Sequence, residues 1–97
     1  MRMVLEIAQL EIKPGQMSAF LAVMNAEGNA CLAACKGCIS ARTLGGVEHP
    51  DRAAILVEWE SLAAHEAARD SEPFQRFHAL AGPFFGAGGN VQHFHLR

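Results

Sequence analysis

Residues 3 to 12 of this chain read Met-Val-Leu-Glu-Ile-Ala-Gln-Leu-Glu-Ile. As an extended segment the run puts apolar side chains on both alternating faces, Met3, Leu5 and Ile7 on one, Val4, Ala8, Leu10 and Ile12 on the other. Such a strand fits cover on both sides better than a half-solvated position. A chain of 97 residues builds one hydrophobic core and no second domain. Its own helices can cover one face of a sheet; the other face needs a partner. A composition of 51% apolar against 19% charged residues adds to the surface that must be hidden. A two-fold homodimer is therefore expected.

The remaining elements follow from periodicity and punctuation. Lys13-Pro14-Gly15 ends the first strand, because proline lacks the ladder donor and glycine permits a sharp turn. From Gln16 to about Cys35 the apolar positions Met17, Phe20, Leu21, Met24, Gly28, Cys31, Leu32 and Cys35 step by threes and fours, one stripe of a helix that Gly28 weakens. Gly37 suits its left-handed closing position. Cys38 to Leu44 reads as a strand, joined across the Gly45-to-Asp51 turn to a partner at Ala53 to Glu60. Ser61 caps a short helix to about Asp70, and Ser71-Glu72-Pro73 starts another, ended by Gly86, Gly88 and Gly89 before a final strand from Val91 to Leu96. The order β-α-β-β-α-β, with the second helix in two pieces, is a ferredoxin-like α+β arrangement.

Eight basic residues lie scattered through a chain of formal net charge −2, which gives neither nucleic acid nor an anionic membrane a binding footprint. Glu6 interrupts the N-terminal apolar run too early for a signal peptide, and no stretch approaches the length of a membrane span, so a cytoplasmic protein is expected. The three cysteines, Cys31, Cys35 and Cys38, have the spacing of an iron-sulfur loop. Two of them fall on a helical stripe, and they read as thiols in a reducing compartment.

Over nearly its whole length the sequence resembles the antibiotic biosynthesis monooxygenase family. The residues that carry the likeness are Ile12-Lys13-Pro14-Gly15, Gly37-Cys38, Glu58-Trp59-Glu60-Ser61, Ala64-His65, Ser71-Glu72-Pro73-Phe74 and Phe77-His78. The resemblance implies a dimeric α+β barrel with a pocket between sheet and helices in each subunit. It also implies oxidation of a small polyphenol or quinol by O2 without flavin, haem or metal. No glycine-rich nucleotide fingerprint is present, in agreement with the absence of a cofactor. The competing class is a dimer that binds a small aromatic molecule without turnover.

His78, among Phe74, Phe77 and Ala81, and His65, six residues after Trp59, are the candidate catalytic bases. Trp59, Phe74 and Phe77 are expected to form an aromatic cage, with Arg42 or Arg69 stabilising an oxyanion. Some relatives degrade haem. By the resemblance His78 matches their axial histidine, but the Asn and Trp that accompany it fall on Ala8 and Ala68, which disfavours that chemistry. His93-x-His95 can chelate a metal in principle, yet no third ligand is identifiable and no metal is assigned.

Overall fold

The computed structural model describes residues 3–96. Strand β1 (Val4–Ile12) leads into a helical rod of three parts, α1 (Met17–Val23), a π-helical turn (Met24–Gly28) and α2 (Asn29–Ala33). Strands β2 (Cys38–Gly45) and β3 (Arg52–Trp59) follow, then α3 (Leu62–Ala68), α4 (Glu72–Ala81), a 3-10 turn (Gly82–Phe84) and β4 (Phe85–His95). The four strands form one sheet in the order β2-β3-β1-β4, each neighbouring pair antiparallel. This is the ferredoxin-like α+β topology that the sequence implies.

Strand parity decides what the sheet offers each side. Val4, Glu6, Ala8 and Ile12 of β1 are buried with Ala53, Ile55, Val57 and Trp59 of β3. The helical stripe packs on them through Phe20, Met24, Cys31, Leu32 and Cys35. Phe20 is wholly buried, its ring 5.8 Å from Phe84 and 6.2 Å from Phe85, so it locks the first helix to the start of β4. The stripe survives Gly28 because the chain takes a wider turn there instead of breaking; an added Cβ would meet the Met24 sulfur, which packs in the space. The opposite sheet face carries Leu5, Ile7, Leu56 and Phe94 in register, and among the described residues the helices pack on the other face. Among the described residues no helix is long and apolar enough to cross a membrane.

Helix closure and capping agree with expectation. Gly37 has φ 86° and lies so close to Ala64 that a Cβ would stand 2.6 Å from the alanine methyl. Ser61 Oγ accepts the Ala64 N–H at 3.1 Å, starting α3. Ser71 accepts the Phe74 N–H and donates its own hydroxyl to the Ala68 carbonyl at 2.6 Å. One side chain thereby ends α3 and starts α4.

The final strand differs from the sequence reading. It begins at Phe85, and the glycine run belongs to it instead of closing the helix. The register against β1 slips between Leu10 and Ile12, and Gly89 sits at φ 135° where a Cβ would come within 2.8 Å of the Gln9 carbonyl oxygen. Glycine here serves an irregular pairing, a use that resembles turn chemistry in sequence.

All three cysteines are free. Cys31 and Cys35 are buried in the helix stripe, and burial pushes the Cys38 thiol up to about 11, leaving it protonated at neutral pH.

Deleting the Phe20 ring leaves a void at the junction of the first helix, the 3-10 turn and β4. Phe20→Ala is expected to cost about 3–5 kcal/mol, the usual scale for a fully buried phenylalanine. Urea unfolding would register this as a lower midpoint at unchanged slope; a loss under about 1 kcal/mol would mean that the helix is anchored elsewhere.

Candidate active site

The helix-covered face of β1 is apolar at every second residue except one. Glu6 puts a carboxylate into that face, 8% exposed. Burying such a group is costly unless it is hydrogen-bonded. The Trp59 Nε1–H, on the neighbouring strand, donates to Glu6 Oε1 at 2.9 Å. The His65 Nε2 lies 3.4 Å from the same oxygen. Nothing buried in the described side chains is left without a partner.

His65 reaches this place from α3, whose position is fixed by the Ser61 cap and the Gly37–Ala64 approach. Its ring is stacked on the Trp59 indole, centroids 4.9 Å apart and planes 13° from parallel. Its Nδ1 faces His93 Nε2 across 2.7 Å, a hydrogen bond in which the two rings share one proton. His93 stands on β4 directly opposite Glu6 in the strand register and is only half-buried. Glu6, His65 and His93 therefore form a row that begins in the core and ends near solvent.

Burial holds the His65 imidazole below its ordinary range. Glu6 opposes that shift, His93 and Arg69 reinforce it, and Glu66 opposes it more weakly. A neutral ring at neutral pH is the form that accepts a proton.

Beside this row is a cavity of about 170 Å³ between sheet and helices. Its polar end is made by Glu6, His65 and Arg69, its aromatic wall by Phe74, Phe77 and Phe85, and its floor by aliphatic residues of β1 and β3 such as Ala8, Ile55 and Val57. Phe74 and Phe77 meet edge to face with centroids 5.5 Å apart.

The sequence-derived candidates divide on this geometry. His65, Phe74 and Phe77 come together around the cavity, and Arg69 joins them. Trp59 is wholly buried behind His65, outside the cavity wall, so it holds the site instead of lining it. His78 is exposed, its ring against the edge of Phe85 with ring centroids 6.2 Å apart. One residue further along an α-helix is about 100° further around it, so the face that buries Phe77 and Ala81 turns His78 away. Arg42 is exposed on the opposite face of the sheet, in a groove with Leu5, Leu56 and Glu58, because its register partner Leu56 points there. Glu6 and the participation of His93 escaped the sequence reading. Parity was the available signal for Glu6: a carboxylate between Val4 and Ala8 on the buried face.

Two imidazoles and a carboxylate suit a transition metal by chemical type, and their donor atoms lie within 4.8 Å of one another. Their directions suit it less. Glu6 approaches Nε2 of His65 and His93 approaches Nδ1, on different sides of the ring, so one ion could take all three only if the ring turned. The three groups form a row of polar contacts instead of a ring of ligands around one point. Nor do the residues fit a haem: His78 lies outside the cavity, and the space falls below even the roughly 300 Å³ of ordinary ligand pockets.

The sequence profile of the family described as antibiotic biosynthesis monooxygenase matches residues 3–80. Among solved structures, a candidate antibiotic biosynthesis monooxygenase from Bordetella bronchiseptica superposes with a TM-score of 0.87 at 28% identity, covering 97% of this chain and 96% of its own. A similarly described protein from Chloroflexus aurantiacus gives 0.78 at 24% identity, covering 98% and 93%. One from Caulobacter crescentus gives 0.80 at 17%, covering 99% and 91%. No curated protein matches the sequence.

The unfolded chain titrates His65 near its ordinary value of 6.5, while the folded chain holds it lower. Below that pH the unfolded state binds a proton that the folded state does not, so stability falls as pH falls, until the folded ring also titrates. Urea midpoints taken from about pH 7.5 down to about pH 5.5 should decrease, and His65→Phe should flatten the slope by one histidine's contribution. An unchanged slope in the variant would show His65 to be as easily protonated folded as unfolded.

Proposed function

Because this chain belongs to the antibiotic biosynthesis monooxygenase family, we propose that it oxidises a small phenol or quinol with O2, using His65 as the base and no bound cofactor. The observation that carries the reading is the buried His65 imidazole at the wall of an aromatic cavity, with a partner on each ring nitrogen.

The chemistry follows from the row. A phenol in the cavity presents its hydroxyl to the Glu6–His65 pair and gives up its proton to the imidazole, from which the contact between His65 Nδ1 and His93 Nε2 leads towards solvent. Glu6, held by Trp59, stabilises the imidazolium as it forms and keeps the ring in place. It need not take the proton itself, as in other carboxylate–histidine pairs. Arg69 offers a cation to the phenolate oxygen. The phenolate is electron-rich enough to give an electron to O2, and recombination forms the carbon–oxygen bond of a hydroperoxide. Loss of water, with the ring hydrogen leaving as a proton, yields a quinone. Phenol and O2 become quinone and water, so the substrate supplies every electron.

A second copy of the chain is proposed as the cover for the open sheet face, where Leu5, Ile7, Leu56 and Phe94 lie together. Sedimentation equilibrium at micromolar concentration should give twice the chain mass; a clean monomer would refute the pairing.

His65→Gln should lower oxygen consumption with a reactive phenol about 10²-fold or more, the usual scale for a lost general base, while a phenol still binds. His78→Ala should leave turnover unchanged. Oxygen consumption that survives His65→Gln but falls with His78→Ala would reverse the assignment. Binding without any consumption in the parent would make the protein a carrier.

A further inference from the structure

The size and stiffness of the cavity bear on what it admits, a matter that the acid–base row leaves open. An apolar void of roughly 150 Å³ accommodates benzene. The cavity here measures about 170 Å³. It therefore has room for one six-membered ring and a hydroxyl.

Most of its walls cannot retreat cheaply. Ala8, Ile55, Val57, Leu32 and Phe77 are core residues, each at most 6% exposed, and close-packed interiors resist displacement. Phe74, Phe85 and Leu10 are only half-buried and Val91 is exposed, so these four form the open side that could yield. The polar groups are gathered at one end, so the ring's apolar edge must lie towards the phenylalanines and its oxygen towards His65 and Arg69.

We propose that the cavity takes a single phenolic ring and excludes fused two-ring and three-ring phenols, Phe74 setting the limit. The inference rests on the phenol-oxidising reading above but concerns occupancy alone.

Its test is calorimetric titration of the 97-residue chain under nitrogen, with 4-methylphenol and 2-naphthol as probes. Naphthol has the larger apolar surface, so a merely greasy patch would bind it more tightly. The expected order is the reverse, 4-methylphenol tighter by tenfold or more. Phe74→Ala should raise naphthol affinity at least tenfold and reverse the order; Phe74→Leu serves the same purpose should the alanine variant not fold. Naphthol binding the parent as tightly as 4-methylphenol would overturn the proposal. So would the absence of binding by either, or an order unchanged in a folded Phe74 variant. Selective one-ring binding without oxygen consumption in air would leave this inference standing and remove the oxygenase reading. Oxygen consumption with two-ring phenols would do the opposite.

Discussion

A carboxylate inside a small hydrophobic core sets the terms for everything around it. Burying the Glu6 carboxyl there is costly without a donor, and the sheet supplies one in the indole of Trp59, paired through the β1–β3 register that brings Val4 opposite Trp59. The indole then offers its face to His65, and the imidazole takes its orientation from both. Each partner is fixed by a different element, so the site exists only when β1, β3, α3 and β4 are all in place. Local geometry at the site is a property of the whole fold.

The capping residues show how so short a chain achieves this. Ser71 ends one helix and begins the next, fixing the angle at which α4 delivers Phe74 and Phe77 to the cavity. Gly37 lets the turn before β2 approach Ala64, which sets the depth of α3 and hence the reach of His65. Neither residue touches the cavity, yet both determine its dimensions. Family membership is compatible with many chemistries, because function lies in the constellation that the fold carries.

Much of this was readable in the sequence. The four strands, the helical stripe from Met17 to Cys35 and the serine caps follow from period and punctuation, because core patterning and turn chemistry are local. The resemblance supplied the pocket between sheet and helices. Less legible were features that depend on pairing at a distance. Glu6 became a site residue only through a strand register and a helix far along the chain. His93 looked like half of a chelating pair with His95 when its actual neighbour was His65. His78 sat in a convincing aromatic context along the chain, and the rotation of the helix removed it. The glycines from 86 to 89 had the composition of a turn and the position of a strand, a distinction that rests on the partner strand alone.

The stacking of His65 on Trp59 has a further consequence. Trp59 is the sole tryptophan of the chain and is shielded from water, so all indole fluorescence originates within 4.9 Å of the imidazole ring. An imidazolium quenches an adjacent excited indole more strongly than a neutral imidazole does. The brightness of the unlabelled protein thus responds to the charge state of the Glu6–His65–His93 row, in real time and without a substrate.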